Sequence, residues 1–243
     1  MKNIRIMIFN IGYLTGITGK ISEYLFKSSR LISPNTITRG SLLKNLTAII
    51  EREKPDILFL AEIRNELYMD SIKNLFAESY IDIKYEPGSI LNPLPFFRGN
   101  CNGVFLRKSL PTKKLFIKNG TKKLVYQIDI AEDCSILFSH FALGERTRKK
   151  QFLEIAQIAI EKKKVIIAGD FNIFHGVGEI QELLKKANVR LVNNPTAKTF
   201  PSYNPTHVID LFLASSSIRT ARIEVIKNIF VADHLPVIAD FEL

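Results

Sequence analysis

Apolar positions along this chain fall into short runs that end on polar residues. Residues 4–9, 56–61 and 165–168 are near-continuous apolar stretches bounded by turn-forming residues, the pattern of strands buried on both faces. Residues 38–53 carry Leu42, Leu43, Leu46, Ile49 and Ile50 at helical spacing, and the Lys54-Pro55 step ends that helix. The pattern predicts a second helix over 65–78, then strands at 80–85, 103–107, 123–130 and 135–140, with one long loop over 86–100. Residues 145–162 return to a helix whose apolar side is Phe152, Ile155, Ala156, Ile158 and Ala159. A helix over 178–187 follows, and the remainder reads as strands around a loop at 193–206. Strands grouped between helices favour two mixed sheets packed face to face with helices outside, an α/β arrangement, over a doubly wound parallel sheet. No linker, repeat or low-complexity tract interrupts the sequence, so residues 1–243 read as a single domain.

The polar residues that close these runs recur in a way that matters more than any one of them. Asn10 follows Ile8-Phe9, Glu62 follows the run 57–61, and His140 follows 136–139. Asp170 and Asn172 follow 165–169, Asp210 follows Val208-Ile209, and Asp233-His234 precede Leu235-Pro236-Val237. Asp170 and Asn172 are two positions apart, so on a continuing strand both point the same way. Strand ends on one edge of a sheet converge in space while lying far apart in sequence, which makes the set a candidate reaction centre. Each residue also has a bland reading. Asn10 could be a turn residue, Glu62 a solvated strand terminus, and Asp170 with Asn172 a turn and a helix cap. Asp210 is harder to dismiss, because a carboxylate entering an apolar strand needs a partner.

Composition narrows the picture further. With 46% apolar residues, 243 residues can bury roughly 70–75% of their unfolded surface around one core. The formal charge of +10, with basic clusters at Lys113-Lys114, Lys122-Lys123, 146–150 and 162–164, favours an anionic partner, although such runs commonly form solvated faces. Cys101 and Cys134 are too few for a disulfide framework or a zinc cage and are expected to pack as small apolar residues. Residues 1–9 mix apolar positions with Lys2, Asn3 and Arg5, far short of the roughly 20 apolar residues of a membrane span and unlike a signal peptide. A soluble, cytoplasmic monomer is the expectation.

Taken in order, Asn10, Pro55-Asp56-Ile57-Leu58-Phe59-Leu60-Ala61-Glu62, Ser139-His140-Phe141, Gly169-Asp170-Phe171-Asn172, Ile209-Asp210 and Asp233-His234-Leu235-Pro236-Val237 resemble the motifs of the endonuclease/exonuclease/phosphatase superfamily. The resemblance implies the deoxyribonuclease I-like fold, a four-layer sandwich of two mixed sheets with outer helices, and cleavage of a phosphate ester with Mg²⁺, for which Mn²⁺ could substitute. It implies Glu62 as principal metal ligand, with Asn10 and Asp233 nearby. Asp170 and Asn172 would position the attacking water and the scissile phosphate, Asp210 would orient His234, and His140 would contact the phosphate from the other side. Either Asp170 or His234 could accept the water proton. Arg146, with Gln151, and Arg98 and Asn100 on the long loop are candidate substrate contacts, whereas His175 and His207 fall outside the motifs.

Three functions fit this set. A nuclease acting on DNA or RNA comes first. A phosphatase or phospholipase-type enzyme acting on inositol phosphate or a phospholipid head group is the alternative, and a non-catalytic binding protein of the same fold is the third. Asn10-Ile11-Gly12 lacks the acidic or amide residue that abasic-site endonucleases usually carry two positions after the Asn, and the chain has no tryptophan. Asn172-Ile173-Phe174 also departs from the continuation typical of inositol polyphosphate phosphatases. A general phosphodiesterase is therefore favoured over a specialised DNA-repair enzyme.

Overall fold

In β1 (Asn3–Asn10), Ile4, Ile6 and Ile8 face one side and Met7 and Phe9 the other, and all five are buried. The computed structural model, which describes residues 3–20, 22–23, 36–64, 69–86, 89, 99–229 and 231–243, shows that β1 is covered on both faces. It sits in a six-stranded sheet whose spatial order is β11 (Arg219–Val225), β12 (Val237–Glu242), β1, β2 (Ile57–Ile63), β4 (Cys101–Leu106) and β3 (Glu78–Ile83). The second six-stranded sheet runs β5 (Thr112–Phe116), β6 (Leu124–Ala131), β7 (Cys134–His140), β8 (Lys164–Asp170), β10 (Asp210–Ser215) and β9 (Val189–Leu191).

The inward rows of both sheets form one core, including Ile6, Ile8, Phe59, Phe138, Ile166 and Phe212, and the rings of Phe59 and Phe138 stack at 5.3 Å across the interface. Each such side chain contributes roughly 1.5–3 kcal/mol by leaving water. Helix α1 (Thr36–Glu53) lays Leu42, Leu46, Ile49 and Ile50 on Met7, Phe9, Leu58 and Leu60. A short turn of helix, α2 (Asp70–Lys73), adds Ile72 to the same layer. On the other side, α3 (Glu145–Ile160) and α4 (Gln181–Ala187) cover Val125, Leu137, Ile167 and Leu211 with Phe152, Ile155 and Leu183. The result is the four-layer sandwich the strand grouping implied, not a doubly wound sheet.

Two crossovers set the direction of the sheets. β1 and β2 are parallel and joined through α1, and β7 and β8 are parallel and joined through α3. The C-terminal ends of each pair therefore lie at one edge. β10 runs antiparallel to β8 and β12 antiparallel to β1, so their N-terminal ends reach those same edges.

Some local expectations differ from what is observed. Among the described residues the helix expected over 65–78 is limited to Asp70–Lys73, and Glu78 opens β3, because it pairs with Leu106 of β4. Residues 65–68, and most of the 86–100 loop, lie outside the described residues. β5 was not anticipated: it is an edge strand with two exposed lysines, Lys113 and Lys114, whose polarity hides its pairing with β6. Cys101 and Cys134 are buried free thiols, as anticipated. No helix among the described residues is long and apolar enough to cross a membrane.

Candidate active site

Register alone places three candidate residues in a row. His140 at the end of β7 pairs with Asp170 at the end of β8, and Asp170 pairs with Asp210 at the start of β10. Gly169 makes the approach of β7 and β8 feasible: its φ is +139°, and a Cβ there would meet the Ser139 carbonyl oxygen at 1.9 Å. Beyond Asp170 the chain leaves the strand, with Asn172 in the left-handed region at φ 53°. The Asn172 N–H donates to Asp170 Oδ1 at 3.0 Å, and its Nδ2 donates to the Phe141 carbonyl at 2.9 Å. The expectation that Asp170 and Asn172 point the same way from one strand is thus corrected. Asn172 closes the turn that holds Asp170 and ties it to the chain after His140.

The other sheet contributes from across the sandwich. Asn10, the last residue of β1, donates Nδ2 to Asp170 Oδ2 at 2.9 Å, while its own Oδ1 accepts the Gly12 N–H at 3.0 Å. His234, just before β12, shares a 2.9 Å hydrogen bond between Nδ1 and Asp210 Oδ2 and holds Nε2 3.8 Å from Asp170 Oδ2. The Phe200 ring packs 5.1 Å from the imidazole. His140 Nε2 lies 3.3 Å from the same Asp170 oxygen. Its Nδ1 is buried without a hydrogen-bond partner among the described residues.

Glu62 reaches this cluster through a fault in its own strand. The β2–β4 ladder shifts register between Leu60 and Ile63, Glu62 takes φ 58°, and its N–H is held by Asn102 Oδ1 at 3.3 Å. Glu62 Oε1 then lies 3.9 Å from His140 Nε2, 3.9 Å from Lys84 Nζ and 4.0 Å from Lys122 Nζ. Sequence reasoning missed both lysines. Lys84 ends a strand run between Ile83 and Tyr85, where a lone lysine reads as solvated, and Lys122 was counted in a surface charge cluster.

The weaker candidates fare differently. Asn100 is buried, but its amide is committed, accepting from Arg64 Nη1 at 2.9 Å and donating to the Tyr85 hydroxyl at 3.2 Å. Arg98 lies outside the described residues. Arg146 is exposed on the first turn of α3, whereas Arg148, two residues on and so on the opposite side of the helix, is buried, ion-paired with Glu179 and bonded to the Ala142 and Leu143 carbonyls. Gln151, fully buried, donates to the carbonyls of Asn119 and Lys122 at 2.9 Å each and so fixes the segment that carries Lys122. His175 is exposed beside Glu145, and His207 packs against Phe174 and Phe200.

Burial and neighbouring charge sort the protons. Burial, aided by Asp210, pushes the Asp170 carboxyl up to about 6 against the pull of His234. Burial alone would lower His234, but the charges of Asp210 and Asp170 outweigh it and push the imidazole up to about 10. His140 is held well below the usual histidine range by burial and then by Lys122 and Lys84. Burial also lowers Lys122, and lowers Lys84 to about 8. At neutral pH the centre therefore holds an ionised Asp170, an imidazolium at His234 and a neutral His140, whose Nε2 accepts from the Lys122 ammonium.

The donor set fits a hard cation at Glu62. Its carboxylate is four-fifths buried, faces the cluster and accepts no hydrogen bond among the described residues. Mg²⁺ is commonly held by one or two carboxylates with water and substrate oxygens completing the shell. Asn10 is less available than expected, because both ends of its amide are engaged. Asp233 Oδ1 lies 3.2 Å from where a side chain on Gly12 would begin, against the turn after β1. Asp170, Asp210 and His234 also place one donor atom each within 4.8 Å of one another. A metal held by that trio would have to displace a proton from His234, so its affinity would fall as the pH falls.

A deoxyribonuclease I-like sandwich whose strand ends converge on Asn, Glu, two His and two Asp defines a class of phosphoesterases. The chain belongs to the endonuclease/exonuclease/phosphatase family, whose sequence model matches residues 34–234. No curated protein matches the chain. Among solved structures, D. rerio TDP2 complexed with a single-strand DNA product aligns with TM-score 0.69 at 15% identity, covering 100% of both chains. The endonuclease/exonuclease/phosphatase from Bacteroides vulgatus gives TM-score 0.70 at 15% identity, again over 100% of both. The human Nocturnin catalytic domain, with a bound sulfate anion, gives 0.67 at 17% identity over 99% of this chain and 93% of its own. At these identities the likeness is one of fold.

Proposed function

We propose that this protein is a divalent-cation-dependent phosphodiesterase that cleaves nucleic acid, with Asp170 as the base that activates water. The observation that carries this reading is the junction of the two sheets at Asp170, where Oδ2 meets Asn10 Nδ2 at 2.9 Å, His140 Nε2 at 3.3 Å and His234 Nε2 at 3.8 Å. A carboxyl poised near 6 is ionised at neutral pH and still basic enough to take a proton from water as it attacks phosphorus. His234, kept cationic by Asp210, faces the negative charge that builds on the phosphoryl oxygens, and Asn10 and Asn172 hold Asp170 in one orientation. A cation on Glu62 supplies further charge neutralisation at the phosphate and the leaving oxygen.

The nucleic-acid substrate draws support from the charge of +10 and from the fold shared with a TDP2 solved with a single-strand DNA product. The test is incubation with supercoiled plasmid and with single-stranded RNA at low salt, with Mg²⁺ or chelator, beside Asp170→Asn. Cleavage that requires Mg²⁺ and falls by about 10²- to 10⁴-fold in the variant is expected. Intact nucleic acid in the presence of folded protein would move the substrate to phospholipid head groups or inositol phosphates.

A further inference from the structure

The two lysines that sequence reasoning passed over are built into the centre from both sheets. Lys84 follows β3 of the first sheet, and Lys122 precedes β6 of the second. Their segments are clamped together by backbone, since the N–H of Lys123 and that of Leu124 both reach the Lys84 carbonyl, at 2.9 and 3.3 Å. The Lys84 ammonium donates to the Tyr13 hydroxyl and lies 5.0 Å from the Tyr13 ring and 5.7 Å from the Tyr85 ring. Lys122 is held by Gln151 through its carbonyl and by His140 through its ammonium. Side-chain exposure is 3% for Lys84 and 13% for Lys122, so neither is a solvated surface charge.

Lys84 and Lys122 flank the Glu62 carboxylate, and the carboxylate of Asp170 acts on both more weakly. Neither ammonium hydrogen-bonds to Glu62, at 3.9 and 4.0 Å; Lys84 bonds instead to the Tyr13 hydroxyl and Lys122 to His140. Two nearly buried cations with one carboxylate between them leave a positive half-site whose donors can accept an oxyanion. We infer that Lys84 and Lys122 form an oxyanion site that binds the substrate's phosphate group directly, without a divalent ion, and turns its phosphorus toward Asp170. This rests on the phosphoesterase reading of the centre and adds to it the residues that capture the anion.

The test measures inorganic phosphate binding to the metal-free protein in chelator, by calorimetry and thermal shift, with chloride at matched ionic strength as control. Saturable binding at one site is expected for the wild type. Lys84→Met and Lys122→Met, each shown folded by circular dichroism, are expected to weaken it about tenfold or more, the loss of one charge-assisted hydrogen bond. Should Lys84→Met fail to fold, Lys84→Arg, which keeps the charge, and Lys122→Met carry the comparison. Phosphate binding that needs Mg²⁺, or that is equal in folded wild type and methionine variants, overturns the inference. Hydrolysis of bis-p-nitrophenyl phosphate with Mg²⁺ is scored separately. Hydrolysis without metal-free phosphate binding overturns the lysine site alone. Lysine-dependent phosphate binding with no hydrolysis of any ester supports the lysine site and overturns the phosphoesterase reading.

Discussion

Asp170 and His234 are both shifted upward, the carboxyl mainly by burial and the imidazole by the carboxylates around it, and each shift has a readable consequence. With Asp170 as base, the rate of the chemical step rises with pH as its carboxyl deprotonates, giving an acid limb near 6. A profile flat between pH 5 and 7 would remove Asp170 from that role. Asp210 does its work through His234. Asp210→Asn keeps a hydrogen-bond acceptor at 2.9 Å but removes the charge that does most to raise the imidazole to about 10. The expected outcome is a His234 titration moved down toward neutrality, visible by NMR of the ring protons, and a rate lower by about 10² at pH 8. An imidazole that still titrates near 10 in that variant would mean that Asp170 alone holds the proton.

Two elements fix the geometry on which those residues depend, and both can be broken without touching the reacting atoms. Gly169→Ala forces a Cβ to within 1.9 Å of the Ser139 carbonyl at a φ of +139°, which the backbone of two central strands has little room to relieve. The variant is expected to be unfolded, or less stable by about 4 kcal/mol or more, in urea titration monitored by circular dichroism. Arg148 of α3 is 1% exposed, and its partner Glu179 precedes α4. Arg148→Ala leaves Glu179 buried and unpaired and should cost about 3–5 kcal/mol in the same measurement, whereas Arg146→Ala, on the solvated face, should change it by less than about 0.5 kcal/mol. The contrast shows what was legible beforehand. Asn10, His140, Asp170 and Asp210 could be read because each closes or opens an apolar run, and such a run stops where its strand reaches the edge of the sheet. Glu62 was legible as a position, but not the register shift and left-handed backbone that turn its carboxylate inward. Asn172 was read on strand periodicity and stands instead in a turn. Lys84 and Lys122 were hidden because a buried lysine and a solvated one are the same letter, and only the pairing of the two sheets brings them together.

At the scale of the molecule, one of the basic clusters lies far from the centre. Lys162, Lys163 and Lys164 lie at or before the start of β8, and Asp170 closes it, so about 20 Å of strand separates that basic cluster from the centre. Lys164 and Lys163 are also partly matched by Asp133, at 3.1 and 4.0 Å. Among the described residues the cations at the mouth are Lys84, Lys122 and His234. A net charge of +10 is therefore a poor guide to how many phosphates a bound strand would neutralise. Each phosphate neutralised on single-stranded nucleic acid contributes about −0.7 to the slope of log affinity against log salt. Two or three contacts at the mouth give an expected slope of about −2 for a short single-stranded oligonucleotide with the Asp170→Asn protein, measured by fluorescence anisotropy. The same slope is expected after Lys162→Gln and Lys163→Gln together. A slope of about −5, or one that shrinks in the double variant, would mean that the strand runs along β8 to the far end of the sandwich. Recognition would then extend well beyond the scissile phosphate, and the distant cluster would be part of the binding surface.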